Sequence, residues 1–564
     1  MADQWDRYRR YCLMAPDLGF SLDVSRVRFP EAYLGGMLPA ATAAMEAMAA
    51  LEAGGIANQD ENRMVGHYWL RAPELAPTAG LRTEIAAAID SVCTFASQIR
   101  NGAIQGTAGP FRHVIHVGIG GSALGPQLLH ESLSPTARPG PGAGPGPTAG
   151  PGPTAGSSPD AGSSLTAGSG PDAGPGPHNG PVSVHFLDNI DPDGVGSLIR
   201  TLSQELGQTL VSVVSKSGWT PTPWHVMTEL EQAYAAGQLS FARHAVATSM
   251  PGTKLGQRAQ ENGWLARFPL WDWVGGRTSI TSAVGLLPAA LAGIDATAFL
   301  RGAAKMDELT RVRDVRGNPA MMLALMWHWL GNGRGDRHMV VLPYRDRLAI
   351  FGRYVQQLVM ESLGKRLDRS GNVVHQGLNV YGHKGATDQH AYVQQLREGR
   401  DDTFVTFIVI GKDQEDGPLG DHLFGNVEGI RQAFTTQQRD TITISLTEAT
   451  PVALGALVAL YERAVGLYAE LIDVNAYHQP SVDKDIAAAV VALQAEALEF
   501  LRHTGEPVTA AQIAVAIGHA DQVEIVYKAM RRQALRPAGS VRIIPDDVIS
   551  GDRFAWSPDP HRGG

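Results

Sequence analysis

Cysteine is scarce: the only two, Cys12 and Cys93, stand in unrelated segments without metal-ligand spacing. Neither a disulfide framework nor a cysteine zinc site is expected, and a reducing compartment suits the chain. Positive charge is not in excess either. Lys and Arg number 47 against 56 Asp and Glu, a net charge of −9, so no global field draws in nucleic acid or an anionic membrane surface. An anionic substrate must then be held by a local cluster. No window is expected to approach the run of about 20 apolar residues that spans a bilayer. The opening Met-Ala-Asp-Gln-Trp-Asp-Arg-Tyr-Arg-Arg is polar and of mixed charge, without the apolar stretch of a signal peptide. These absences lead to the expectation of a soluble cytoplasmic protein with no membrane or nucleic-acid partner.

Glycine and proline, by contrast, are abundant, and much of that abundance lies in one tract. From Thr136 to Pro181 the chain is almost wholly Gly, Pro, Ala, Ser and Thr. Such a tract cannot bury enough apolar surface to offset its ordering entropy, so it is expected to be a disordered insertion without chemistry. A chain of 564 residues exceeds one ordinary core. Apolar runs at Val182–Leu187, Leu210–Val214, His244–Thr248, His338–Pro343, Thr403–Ile410 and Thr441–Leu446 alternate with helical or turn-rich segments, a pattern of βαβ units. The fold class expected is α/β with two doubly wound parallel-sheet domains, at 112–300 and 335–475. A helical segment over 1–111, a helical connection over 301–334 and a C-terminal helical segment and tail over 476–564 complete the chain.

Four stretches carry candidate chemistry. Arg112 to His130 reads as strand, glycine turn and helix start. Gly118, Gly120 and Gly121 let a ligand approach the backbone, and the free N–H groups before Ser122 favour an anion. The spacing Gly118-x-Gly120-x-x-Ala123, with Asp188 after the next strand, also fits a dinucleotide fingerprint. Ser215-Lys216-Ser217-Gly218-Trp219-Thr220 follows a strand and sets hydroxyls and an ammonium where a phosphate monoester would sit. In Trp271 to Gly285 the single cation Arg277 lies between a double glycine and a hydroxyl-rich helix start, suited to clamping an oxyanion. Met360-Glu361-Ser-Leu-Gly-Lys365 closes an apolar helix, where burial can tune a carboxylate for general-base work. His390 follows a glycine-rich turn and Lys484 precedes a helix; each also reads plainly, as a structural histidine and a solvated lysine.

Together and in this order, these stretches resemble the glucose-6-phosphate isomerase family of sugar isomerase domain proteins, with its GIGGS loop, SK(S/T)-type phosphate loop, VGGR, MES-x-GK and QH segments and C-terminal lysine. The resemblance implies two sugar isomerase domains and a cofactor-free, metal-free isomerisation of glucose 6-phosphate and fructose 6-phosphate, as in glycolysis and gluconeogenesis. It implies that Ser215, Ser217 and Thr220, backed by Lys216, hold the phosphate, and that Gly121 and Ser122 contact the sugar. Glu361 would be the base, Arg277 would stabilise a cis-enediolate, and His390 with Lys484 would assist ring opening. Gln357 and Gln479 would be further contacts. The family is usually dimeric, which implies a homodimer with His390 shared across subunits. Where many members read Gly-Glu-Pro-Gly-Thr-Asn-Gly-Gln-His, this chain has Gly382-His-Lys-Gly-Ala-Thr-Asp-Gln-His390. Two other classes compete: a non-catalytic phosphosugar sensor, against which Glu361 and His390 stand, and a nicotinamide dehydrogenase, against which the second phosphate loop stands.

Overall fold

The valine- and isoleucine-rich runs become the central strands of two sheets. The computed structural model describes residues 2–134, 180–412, 417–480, 484–537 and 539–557. The Gly/Pro-rich tract expected to be disordered lies outside the described residues, save Gly180 and Pro181. The chain divides into two compact units, 1–478 and 479–564.

In the first unit a five-stranded sheet runs in the order Ala266–Pro269, Ala245–Ser249, Thr209–Val214, His113–Val117, Ser183–Leu187. All of its neighbours are parallel. Thr209–Val214 is buried at every position, the signature of a strand covered on both faces. A six-stranded sheet has the order Cys12–Ala15, Phe20–Asp23, Thr441–Leu446, Thr403–Ile410, His338–Pro343, Val380–Tyr381. Its last four strands are parallel, whereas Phe20–Asp23 pairs antiparallel with Thr441–Leu446 and Cys12–Ala15.

Two expectations need correction here. The N-terminal segment is not wholly helical, because Cys12–Ala15 and Phe20–Asp23 form the antiparallel edge of the second sheet. Gly19, in the left-handed region at φ 56°, turns the chain between them. Among the described residues two helices, Glu31–Glu52 and Pro451–Leu471, are also long and apolar enough to cross a membrane by length and composition. The second is a core helix, with 94% of its apolar window buried inside the protein.

That core helix carries charges into the interior. Arg71 pairs with Asp307 and Glu462, each at 2.5 Å, and Arg463 pairs with Asp307 at 2.9 Å and with Glu52. The Arg71, Asp307 and Glu462 side chains are fully buried. Such charges persist in an apolar interior only when paired. The network ties the turn after His67–Leu70 to helices Glu31–Glu52, Ala296–Thr310 and Pro451–Leu471.

The second unit has its own apolar core, including Leu493, Leu501, Ile513, Val526, Met530 and Phe554. Helices Lys484–Thr504, Ala510–Ala516 and Val523–Ala534 accompany a small antiparallel sheet in the order Val508–Thr509, Arg553–Trp556, Val541–Ile544. The C-terminal segment, expected as a helical segment and tail, thus includes strands as well as helices. Thr509 and Gln512 start the middle helix with a reciprocal capping box.

Candidate active site

Ligands of open parallel sheets bind beyond the carboxyl ends of the strands, and there the glycine turn leaves His113–Val117. Gly120, at φ 59°, caps helix Gly121–Leu133. A Cβ on Gly121 would lie 1.9 Å from the Gly276 carbonyl oxygen, and one on Gly120 would lie 2.9 Å from Gln357 Nε2. Only glycine lets this turn press against both the Arg277 segment and the helix of Glu361. From below, the His116 ring donates through Nε2 to the Ser122 carbonyl at 2.8 Å. Burial pushes this histidine down to about 4, so it is a neutral donor near pH 7.

The phosphate-type loop follows the neighbouring strand Thr209–Val214. Ser215 Oγ donates to Thr220 Oγ1 at 3.0 Å and accepts from the Thr220 amide at 3.2 Å, which closes the turn. Ser217 is exposed, and its Oγ accepts from the Trp219 amide at 3.5 Å. Lys216 does not point out of the loop. Its ammonium donates to the carbonyls of Asp272 at 2.8 Å and Val274 at 2.6 Å, bridging the loop to the segment that carries Arg277. Burial, helped by Arg63, pushes Lys216 down to about 8.

Arg277 is buried at 7% exposure, with every guanidinium nitrogen engaged. Nε donates to Ser362 Oγ at 2.9 Å, Nη2 to the Ala476 carbonyl at 2.7 Å, and Nη1 lies 3.2 Å from Glu361 Oε1. Glu361 is on helix Phe351–Leu363, so Gln357 lies one turn earlier on the same face and donates to Oε2 at 3.0 Å. A half-buried carboxylate is thus fixed from two sides beside an immobilised guanidinium, a pair suited to moving a proton next to a developing oxyanion. A contact chain from Lys216 through Val274 to Arg277 and Glu361 joins the stretches read from the sequence, and Gly121 abuts it.

His390 is not joined to this cluster, and two further candidates belong to the second unit. His390 is exposed at the end of helix Gly385–Gln389, where its amide donates to the Thr387 carbonyl at 3.1 Å, and no hydrogen bond or ion pair among the described residues joins its ring to Arg277 or Glu361. Gln479 is exposed at the start of the second unit. Lys484 opens a helix there, and its side chain lies outside the described residues.

Two residues escaped the sequence reading. His67 lines the same pocket as Lys216, Arg277 and Ser362, fully buried, and neither ring nitrogen has a hydrogen-bond partner among the described residues. Burial first, then Arg71, Arg463 and Arg277, hold it well below the usual histidine range. No local signal marks it. Lys365 stands within the quoted MES-x-GK segment, but its contact is visible only in the fold: it is 3% exposed and donates to the Glu361 carbonyl at 2.8 Å. Burial, reinforced by Arg277, pushes it down to about 7. Among the described residues, no group of three or more His, Cys, Asp or Glu side chains can hold a metal ion.

A family model for phosphoglucose isomerase matches residues 35–140 and 175–428. The chain belongs to the phosphoglucose isomerase family. The matched ranges of that family contain Gly121, Ser215, Arg277, Glu361 and His390 and stop short of Gln479 and Lys484. The chain is 47% identical over 546 residues to the glucose-6-phosphate isomerase of Cyanothece sp. (strain PCC 7425 / ATCC 29141), covering 95% of each protein. It is 46% identical over 563 residues to that of Geobacter sulfurreducens, covering 98% of each. In fold it is similar to the crystal structure of a glucose-6-phosphate isomerase from Chlamydia trachomatis, with a TM-score of 0.71 at 24% identity over 87% of this chain and 91% of that one.

Proposed function

We propose that this chain interconverts glucose 6-phosphate and fructose 6-phosphate. The observation that carries the reading is the Arg277–Glu361 contact at 3.2 Å, linked through Lys216 to the Ser215–Thr220 loop. In the open-chain aldose, the Glu361 carboxylate removes the proton on C2. The C–H electron pair forms the C1=C2 bond, and the carbonyl pair moves onto O1, where Arg277 stabilises the cis-enediolate. Return of that proton to C1, with transfer of the O2 hydroxyl proton to O1 and formation of the C2 carbonyl, yields the ketose. Ser215, Ser217 and Thr220 hold the phosphate at the far end, and Gly121 and Ser122 meet the sugar, with Gln357 and Gln479 as further contacts. Ring opening falls to His390 and Lys484.

The exposure of His390 supports a homodimer in which this residue serves the other subunit's site. A cytoplasmic place in glycolysis and gluconeogenesis completes the proposal; two free cysteines and a net charge of −9 accord with it. The deciding experiment is a coupled assay of the purified protein on fructose 6-phosphate. Turnover to glucose 6-phosphate is expected. Thermal stabilisation by fructose 6-phosphate without turnover would instead mark a protein that only binds phosphosugars.

A further inference from the structure

The loop's own lysine does not face the phosphate position: Lys216 lies beneath the loop with its ammonium on two carbonyls across the cleft. A phosphate monoester near neutral pH carries close to two negative charges, and hydroxyls and amides alone do not match that charge. A second lysine stands beside the loop. Strands Thr209–Val214 and Ala245–Ser249 are parallel neighbours, so the connections at their carboxyl ends lie side by side. Ser215 N donates to the Thr248 carbonyl at 3.1 Å and Met250 N to the Lys216 carbonyl at 3.2 Å. The loop's crest, Gly218 at φ 70°, rests on the start of helix Lys254–Glu261, and a Cβ there would be 2.4 Å from Thr253 Cβ and 3.1 Å from Leu255 N.

At this junction the Lys254 ammonium sits 3.9 Å from the centroid of the Trp219 ring. Trp219 is 52% exposed, so its ring face is open to the Lys254 ammonium, and it is steadied by Trp224 at 4.7 Å between ring centroids. A tryptophan face attracts an ammonium without neutralising it. Among the described residues, no carboxylate lies within 4.0 Å of Lys254. Trp219 therefore keeps an unneutralised cation at the crest of the phosphate loop instead of letting a flexible side chain sweep through solvent.

We propose that Lys254, held in place by Trp219, is a phosphate-recognising cation of the Ser215–Thr220 loop and makes the site select for the charged end of the hexose phosphate. This deepens the isomerase reading and rests on it. Lys254 contacts only the remote phosphate, so it binds ground state and transition state alike and acts on KM rather than kcat.

The test compares the full-length wild type with Lys254→Met, Lys254→Arg and Trp219→Leu. In Lys254→Met, the KM for fructose 6-phosphate and the inhibition constant of inorganic phosphate should both rise roughly tenfold, as for one lost charge-assisted contact, with kcat within about twofold. The dependence of kcat/KM on ionic strength should flatten, because one exposed attracting charge is gone. Lys254→Arg should restore most of the affinity, and Trp219→Leu should give a smaller change in the same direction. A Lys254→Met enzyme with wild-type KM, phosphate inhibition and salt dependence would overturn the proposal. If the wild type shows no turnover, the isomerase reading fails; calorimetric titration of wild type and Lys254→Met with inorganic phosphate then still decides the role of Lys254.

Discussion

Glu361 and Arg277 owe their placement to different parts of the chain, yet each orients the other. Glu361→Gln keeps the shape and removes the proposed base, so kcat is expected to fall by two to four powers of ten with little change in KM; steady-state kinetics at saturating fructose 6-phosphate check this, and a wild-type kcat excludes Glu361 as base. The two phosphate-loop residues should behave differently from each other. Ser217 is exposed and its replacement by alanine should raise KM alone. Lys216→Met removes the bonds to the Asp272 and Val274 carbonyls that steady the Arg277 segment, so KM should rise and kcat should fall; a pure KM effect would show that the bridge does not position Arg277. Glu361, Arg277, Lys216 and Ser217 were legible in the sequence because their stretches are contiguous and chemically distinctive. His67 was not, since what distinguishes it is burial without a partner, which exists only after distant segments pack.

At the scale of elements, the central parallel strands were legible as continuous apolar runs, and the edges were not. Phe20–Asp23 is four residues long and finds its register against Thr441–Leu446, with Ser21 opposite Ser445, so nothing local announces it. Helix Phe351–Leu363 presents Glu361, and its end is secured by Lys365, whose ammonium bonds the Glu361 carbonyl. That arrangement has a pH signature. The folded chain releases the Lys365 proton at about 7, below its ordinary value of 10.5, so between those values the unfolded chain binds more protons and stability rises with pH. Below about 7 both states are protonated and the full cost of the buried charge is present. Lys365→Met removes this contribution. Its melting temperature relative to wild type should therefore be most favourable near pH 7 and fall progressively behind towards pH 10, and a difference that does not vary with pH would refute the buried ammonium.

The first unit is held as one body by charges as well as by apolar packing. Asp307 faces both Arg71 and Arg463, and they hold its carboxyl below the usual range although burial opposes this. Asp307→Asn leaves two buried guanidinium groups short of an anion and should cost about 3–5 kcal/mol, read as a lower denaturant midpoint at unchanged slope. The subunit arrangement is a separate question, and complementation answers it. If each site takes Glu361 from one chain and His390 from the other, Glu361→Gln and His390→Gln homodimers are both impaired. A heterodimer of the two then has one site carrying both substitutions and one carrying neither. Co-refolding equal amounts makes half the dimers mixed, with one intact site in two, so activity should return to about a quarter of wild type in a cyclic two-fold assembly. If His390 serves its own chain, every site in the mixture keeps one substitution and no activity returns. The recovery separates the shared-site dimer from the self-contained subunit without any change to the substrate, the assay or the remaining residues of the site.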